Sequence, residues 1–214
     1  MKAVIFDLDG TILDSMHIWK EVGHRVCEKL RIQSPKNLYD ILKNMTLDES
    51  AQFLAELSNG KAEKEQIITL FYEIVKDFYE NEARLKPNVK KYLGILKNEG
   101  AKMCVATETE STLAIKALQK TGVWDFFEFC MSSKDIGKGK HHPDIYEIAT
   151  KKMGFEKEEV IIYEDAYYAI RTAKKAGFVV HCIYDESQKE HWEELKKLSD
   201  RFFIDYDQCI AFAQ

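Results

Sequence analysis

The sequence predicts an α/β fold in which helices cover a parallel sheet and a helical insertion follows the first strand. An uninterrupted apolar run from Ala3 to Phe6 indicates a strand buried on both faces. Residues 15 to 83 then carry helical spacing alone. From residue 89 onward, helices of about 10 residues alternate with short apolar strands, which is the pattern of β-α-β units and of a parallel sheet.

The insertion contains four predicted amphipathic helices. Apolar residues recur at helical spacing from Trp19 to Leu30, and Ser34-Pro35 offers an N-cap followed by proline for a second helix. Thr46 to Glu49 fits a capping box at the start of the third helix. The fourth helix spans Glu63 to Glu82. Short loops between amphipathic helices are typical of a small four-helix bundle.

The elements after the insertion define the rest of the sheet. They are helix Val89–Asn98, strand Lys102–Thr107, helix Ser111–Thr121, strand Phe127–Met131, helix Pro143–Met153, strand Val160–Tyr163, helix Ala166–Ala176, strand Val179–Tyr184, helix Ser187–Leu198 and strand Phe202–Ile204. We therefore expect an α/β core domain of residues 1–14 and 86–214 and a helical cap domain of residues 15–85. The cap is expected over the carboxyl ends of the strands, where such sheets bind ligands.

The composition favours a globular protein that acts on small molecules. The 214 residues are 45% hydrophobic, and 31 basic against 36 acidic residues give a net charge of −5, which offers no footprint for nucleic acid or an anionic membrane. Five widely spaced cysteines predict buried reduced thiols, and no apolar run has the roughly 18 residues of a membrane span. Because reduced thiols are typical of the cytosol, we expect a cytoplasmic location. No obligatory protein partner is evident.

Two carboxylates stand at the end of the first strand. Side chains of an extended chain repeat every two residues, so Asp7 and Asp9 can approach one point while Leu8 turns into the core. Gly10 permits a close approach by another group, and Thr11 adds a hydroxyl. Two such acids repel each other, which a hard divalent cation relieves, and this predicts Mg²⁺ and a phosphate. The alternative is that both acids cap a turn in water.

Three later positions complement this pair. Thr107 ends a strand and offers a hydroxyl and helix-start amides to a phosphate, or else a plain N-cap. The glycine-rich loop before Pro143 carries two lysines, Lys138 and Lys140, and a lysine there can neutralise Asp7 and a phosphate, unless the loop is simply solvated. Glu164 and Asp165 end another buried strand and would complete an oxygen-rich cation site, although surface pairs of acids are common.

With these residues in place, the whole chain resembles the haloacid dehalogenase-like superfamily of phosphohydrolases, in the helical-cap subgroup that includes β-phosphoglucomutase. The resemblance implies a Rossmann-like core and phosphoryl transfer through an aspartyl-phosphate. The matching motifs are Asp7-Leu8-Asp9-Gly10-Thr11, then Thr107, then Lys140 ahead of Pro143-Asp144-Ile145-Tyr146, and finally Glu164-Asp165.

The resemblance also implies roles for the acidic and basic residues. Asp7 would be the nucleophile, and Asp9 would donate a proton to the leaving alkoxide and later take one from water. Mg²⁺ would be held by Asp7, Asp165, the backbone carbonyl of Asp9 and, through water, Glu164. Together with Lys140 it would offset the repulsion between carboxylate and phosphate.

Substrate contacts are implied at five further positions. Thr107 and nearby amides, next to Gly10, would hold the phosphoryl oxygens. His17 and Trp19 are candidates for contacting the leaving group, although Trp19 could equally be core of the first cap helix. Glu108 stands where the family usually has a small or polar residue. Facing inward, it would disfavour a second anionic group on the substrate and favour an amine.

The remaining departures from the family pattern bear on the choice of function. His141 replaces the proline that usually follows Lys140, Ala166 replaces a serine and Asn88 a glycine, and none of these removes a reacting group. Leu47 stands where a mutase would need an arginine for the distal phosphate. We therefore expect a Mg²⁺-dependent phosphatase of small phosphate monoesters, such as sugar phosphates. The alternatives are a β-phosphoglucomutase and a non-catalytic regulatory module that binds Mg²⁺ or a phosphometabolite.

Overall fold

The computed structural model describes residues 2–43 and 45–213, and the chain forms two compact units. The larger unit comprises residues 1–14 and 83–214, and the smaller comprises residues 15–82. The function of these units as core and cap stays a prediction. Within the described residues, no helix has both the length and the apolar character needed to cross a membrane.

The secondary structure alternates as the sequence predicts. The strands are β1 (Ala3–Phe6), β2 (Lys102–Thr107), β3 (Cys130–Ser132), β4 (Val160–Glu164), β5 (Val179–Ile183) and β6 (Arg201–Phe203). The α-helices of the described residues are α1 (Met16–Lys29), α2 (Leu38–Leu42), α3 (Leu47–Leu57), α4 (Lys64–Asp77), α5 (Val89–Asn98), α6 (Ser111–Lys120), α7 (Ser133–Ile136), α8 (Asp144–Met153), α9 (Tyr167–Lys175), α10 (Trp192–Leu198) and α11 (Tyr206–Ala213). A π-helical segment, Phe78–Glu82, follows α4.

The strands of the larger unit form one six-stranded parallel sheet in the order β3-β2-β1-β4-β5-β6. Strand β1 is central because it pairs with both β2 and β4. The strand order reverses direction between β1 and β4, and in such sheets ligands bind outside the carboxyl ends at this point. The predicted α/β, Rossmann-like parallel fold is confirmed.

Strand β1 is buried on both faces, as its apolar run indicates. All four of its residues, Ala3 to Phe6, are inaccessible to solvent. Ile5 belongs to a cluster of apolar side chains packed under α8 and α9. On the opposite face, Phe6 stacks on Tyr163 of β4 with ring centroids 4.9 Å apart. This double burial fixes the end of β1, and therefore the residues that follow it, in the middle of the sheet edge.

In the smaller unit, the buried face of α1 differs from the predicted one. Ile18, Val22 and Val26 are buried, whereas Trp19 is 44% exposed. The interpretation of Trp19 as core of this helix is therefore wrong. The buried apolar face begins at the preceding residue, Ile18, and Trp19 lies beside that face. At the start of α3, Thr46 and Glu49 form the predicted capping box: each side chain accepts the backbone N–H of the other residue. The four-helix-bundle arrangement stays a prediction.

Other local predictions are also corrected. The second helix begins after Asn37, because the Ser34 hydroxyl bonds His24 Nδ1 at 2.6 Å instead of capping a helix. Strand β3 begins at Cys130, three residues later than predicted, since Phe127 directly follows a 3₁₀ turn. The C-terminal helix α11 was not predicted. All five cysteines are free in the structure, and four of them are buried, whereas Cys130 is partly exposed.

Candidate active site

The carboxyl end of β1 carries the first acidic pair. The Asp7 N–H continues the sheet ladder by donating to the Tyr163 carbonyl of β4 at 2.9 Å. The Asp7 side chain is buried, and Asp9 is partly exposed. Gly10 has φ +81°, and a Cβ built there would lie 2.5 Å from Asp165 Oδ2. The close approach that glycine permits is thus made by the second acidic pair.

Three carboxylates meet at this edge of the sheet. Oxygen atoms of Asp7, Glu164 and Asp165 all lie within 4.8 Å of one another, and the three residues are buried. A surface location for Glu164 and Asp165 is excluded, since each is 1% exposed. Clustered carboxylate oxygens are the donor set that hard divalent cations prefer, so this arrangement fits such an ion. The Asp9 carboxylate has another partner, because the Thr109 hydroxyl donates to it at 2.7 Å.

Lys140 reaches the same cluster from the loop before α8. Its ammonium group donates to Asp7 Oδ1 and, at 2.6 Å, to Glu164 Oε1, and the residue is 1% exposed. The solvated-loop interpretation therefore fails for Lys140, although Lys138 is exposed and pairs with Asp144 at 2.5 Å. Burial lowers the pKa of Lys140, but the two carboxylates overcome that effect and raise the pKa above its ordinary value.

Neighbouring groups hold the second acidic pair in place. Glu164 Oε2 accepts the backbone N–H groups of Asp165 and Ala166 at 2.9 and 3.0 Å. Its other oxygen accepts the Tyr146 hydroxyl at 3.1 Å, beside Lys140. The Thr11 hydroxyl donates to Asp165 Oδ1 at 3.0 Å. These bonds fix the orientation of both carboxylates.

The cluster carries more negative charge than Lys140 neutralises. Burial raises the pKa of Asp7 well above its ordinary value, and Glu164 and Asp9 add to the effect while Lys140 opposes it. Burial also raises the pKa of Asp165, with Glu164 and Asp7 next in importance. Each shift means that the ionised carboxylate is disfavoured here. A bound divalent cation would favour the ionised forms.

The end of β2 lies next to β1 in the sheet. Thr107 is buried, and its hydroxyl oxygen accepts the Thr109 N–H at 3.0 Å. The N-cap interpretation is wrong, because the N-cap of α6 is Glu110 and no side chain caps this helix. Glu108 accepts the Lys140 backbone N–H at 2.9 Å and the Tyr168 hydroxyl at 2.8 Å. A substrate contact by Glu108 stays a prediction.

His17 and Trp19 lie in α1 of the smaller unit. The His17 ring packs edge-on against Phe78, with centroids 5.3 Å apart. Leu47, at the start of α3, is 39% exposed. The predicted contacts of His17 and Trp19 with the leaving group stay predictions. In the larger unit, by contrast, the structure brings together Asp7, Lys140, Glu164 and Asp165, with Gly10 in contact with Asp165.

Three residues around this cluster were not predicted as part of it. Thr109 bonds Asp9, and its position two residues after Thr107 is a usable signal, since alternate residues of extended chain share a direction. Tyr146 follows the Lys140 loop by one helical turn. Tyr168 has no comparable signal, because its contact with Glu108 joins residues 60 positions apart.

Comparison with known proteins agrees with this geometry. The family described as haloacid dehalogenase-like hydrolase matches residues 4–183. This range contains every residue of the acidic cluster, and it covers most of the chain. The chain therefore belongs to the haloacid dehalogenase-like hydrolase family.

Individual relatives are named as phosphatases and as β-phosphoglucomutases. The chain is 26% identical over 190 residues to the phosphorylated carbohydrates phosphatase of Thermotoga maritima, covering 86% of this chain and 88% of the relative. It is 28% identical over 187 residues to the β-phosphoglucomutase of Bacillus subtilis, covering 83% and 80%. The solved β-phosphoglucomutase of Clostridium difficile superposes with a TM-score of 0.71 at 21% identity, covering 100% and 96%, which supports the fold. Family and relatives together support a phosphoric monoester hydrolase.

Proposed function

We propose that this protein is a Mg²⁺-dependent phosphatase of small phosphate monoesters, sugar phosphates or similar metabolites, that forms an aspartyl-phosphate on Asp7. The observation that carries the proposal is the contact of Lys140 with Asp7 inside a buried group of three carboxylates. An ion pair with a purely structural role needs one acid for one base, whereas Asp7 is accompanied here by two further buried acids, Glu164 and Asp165. Phosphatase names among the relatives, including the phosphorylated carbohydrates phosphatase, support the same substrate class.

The chain supplies the reacting groups. An Asp7 oxygen would attack phosphorus while the bond to the ester oxygen breaks, and Asp9 would give its proton to the leaving alkoxide. Water would then attack the phosphorus of the aspartyl-phosphate while the bond between phosphorus and the Asp7 oxygen breaks. Asp9 would take up the water's proton, and inorganic phosphate would leave a free Asp7 carboxylate. Asp9 suits this exchange because it is partly exposed and oriented by the Thr109 hydroxyl at 2.7 Å.

Charge control would come from Lys140 and from a cation. Lys140 pairs with Asp7 and so favours its ionised form, and its ammonium group would also offset the charge of a phosphate bound next to Asp7. Asp7, Asp165, the Asp9 carbonyl and, through water, Glu164 would hold Mg²⁺, which supplies positive charge that offsets the repulsion between carboxylate and phosphate.

Substrate binding is proposed for four of the remaining predicted residues. Thr107 and the amides after β2 would bind phosphoryl oxygens, because β2 adjoins β1 and Thr107 is buried at its carboxyl end. Gly10, which has no side chain, would let the backbone after Asp9 approach the phosphoryl group closely. His17 and Trp19 would contact the leaving group.

A mutase is the second candidate, because relatives of similar identity are named β-phosphoglucomutase. A mutase must bind a bisphosphate intermediate at both ends, and Leu47 offers no charge for the distal phosphate. This observation favours the phosphatase.

The test is phosphate release from a panel of sugar, nucleotide and amino-alcohol phosphates with Mg²⁺. We expect turnover in the wild type, none in Asp7→Asn, and wild-type turnover in Asp125→Asn, a control at an exposed position in a 3₁₀ turn. Conversion of β-glucose 1-phosphate with a bisphosphate primer, without phosphate release, would identify a mutase. Mg²⁺ binding without turnover on any ester would favour the regulatory module.

A further inference from the structure

Two departures from the family pattern meet at one side chain. Glu108 follows Thr107 at the end of β2, and His141 follows Lys140 in the loop before α8. Tyr168, in the first turn of α9, contacts both: its hydroxyl donates to Glu108 Oε2 at 2.8 Å, and its ring stacks on the His141 ring with centroids 4.5 Å apart. Three segments that are distant in sequence are joined here.

The other oxygen of Glu108 holds the backbone of the lysine. Glu108 Oε1 accepts the Lys140 N–H at 2.9 Å, and a Cβ built on Gly139 would lie 3.1 Å from this same oxygen. The carboxylate is therefore packed directly against the loop. A hydrogen bond to an ionised acceptor is stronger than one between neutral groups, so it restrains a loop that contains two glycines.

We propose that Glu108 and Tyr168 are positioning residues that hold the Lys140 backbone so that its ammonium group stays on Asp7 and Glu164. We call this pair the Glu108–Tyr168 clamp. The inference rests on the proposed function, because it assigns the pair to the reaction through Lys140. Lysine has a flexible four-carbon side chain, so a fixed backbone narrows the range of positions that its ammonium group can reach.

The partners within the clamp are chemically matched. Burial, followed by the carboxylates of Glu164 and Glu108, raises the pKa of Tyr168, so its hydroxyl stays protonated and able to donate. Glu108 is an exposed residue, and each of its carboxylate oxygens has one partner in the protein, so the loop and α9 together orient this carboxylate. The Thr172 hydroxyl donates to the Tyr168 carbonyl at 2.9 Å within α9, and the His141 carbonyl lies 3.4 Å from the same hydroxyl oxygen.

The kinetic test compares four variants with two matched controls. We expect Glu108→Ala to lower kcat by about 10- to 100-fold with KM changed less than about threefold, as for a misplaced catalytic group. Glu108→Gln should recover most of kcat, because its amide oxygen still accepts the Lys140 N–H. Tyr168→Phe should lower kcat by a smaller factor, and the Glu108→Ala/Tyr168→Phe double variant should match Glu108→Ala, since the two residues act through one contact.

The controls make the same substitutions nearby. Glu110→Ala removes an exposed acid from the same connection, and Tyr167→Phe removes a hydroxyl from the adjacent residue, whose ring stacks on His191 instead. Both should keep wild-type kcat. A substrate-contacting Glu108 would instead change KM or the preference between mono- and bisphosphates, with Gln no better than Ala, and that result would overturn the proposal.

A second measurement does not depend on turnover. Hydrogen exchange of the Lys140 backbone N–H should be slow in the wild type, faster in Glu108→Ala and Tyr168→Phe, and unchanged in Glu110→Ala. Unchanged exchange in the clamp variants would overturn the proposal, even for a protein that hydrolyses no ester. If the wild type is active and exchange accelerates while kcat stays constant, the clamp is structural only, and the proposed function stands without it.

Discussion

Replacing Gly10 by alanine tests the close contact on which the acidic cluster depends. Gly10 has φ +81°, and the added Cβ would lie 2.5 Å from Asp165 Oδ2 and 2.8 Å from its Cγ. Asp165 is buried and accepts the Thr11 hydroxyl at 3.0 Å, so it has little freedom to move away. Gly154, which ends α8, provides a matched control with φ +80° and nothing within 4 Å of the added Cβ.

The two substitutions share one cost and differ in another. Left-handed backbone costs an alanine about 1 kcal/mol at either site. At Gly10, ordinary contact begins at 3.4 Å, so 3.4 Å less 2.5 Å requires the Asp165 carboxylate to move by about 0.9 Å. Disturbing a buried hydrogen-bonded carboxylate adds about 1–3 kcal/mol, and metal sites tolerate ligand displacements of only about 0.2 Å.

The assays are thermal or urea unfolding in EDTA and calorimetric titration with Mg²⁺. We expect Gly10→Ala to lower the free energy of unfolding by about 2–4 kcal/mol and to weaken Mg²⁺ binding by at least about tenfold. Gly154→Ala should cost about 1 kcal/mol and leave Mg²⁺ affinity unchanged. Equal destabilisation of both variants with unaltered Mg²⁺ binding would refute the idea that the contact between Gly10 and Asp165 shapes a metal site.

Two further predictions concern buried charge. In EDTA, Lys140→Met should lower the free energy of unfolding by about 3–5 kcal/mol, because it removes the buried ammonium group that pairs with Asp7 and Glu164. The control Lys138→Met removes an exposed ion pair and should cost no more than about 1 kcal/mol. Equal losses for the two variants in urea titrations would contradict this prediction. Burial lowers the pKa of His181 from 6.5 to about 4, so stability present above pH 6.5 should fall by up to about 3 kcal/mol as the pH drops to 4. His181→Asn should flatten that pH slope, and an unchanged slope would exclude His181 as its source.

The parts of the fold that could be predicted are those where burial leaves a continuous signal. Strands β1 and β2 and helix α5 have the predicted bounds, because each central strand contains an uninterrupted run of four apolar residues and the helix has one apolar face. Strand β3 lies at the sheet edge, and Cys130 and Met131 are only partly buried, so the signal was weak. Trp19 shows that helical spacing locates a stripe but leaves its edge uncertain by one residue.

The acidic cluster was predictable for a topological reason. In a parallel sheet, the carboxyl ends of neighbouring strands meet at one edge. The acids at the carboxyl ends of β1 and β4 must therefore lie close together. Lys140 follows no strand directly, and its place in the cluster was inferred from the resemblance. The reaction roles of these residues stay predictions until the Asp7→Asn and phosphate-release measurements are made.

The contacts of Glu108 could not be predicted from the sequence. Taken singly, an acid beside a phosphate site predicts repulsion of anionic substrates, and His141 in place of proline removes no reacting group. In the structure, Tyr168 contacts both Glu108 and His141. Glu108 lies 32 positions before Lys140 and 60 positions before Tyr168, and no local sequence pattern predicts contacts over such separations. In the proposed clamp, the stacked ring and the bond from the Lys140 N–H to Glu108 would restrain the loop together. Because both positions contact Tyr168, a variant at either one should be measured alone and in combination with the other.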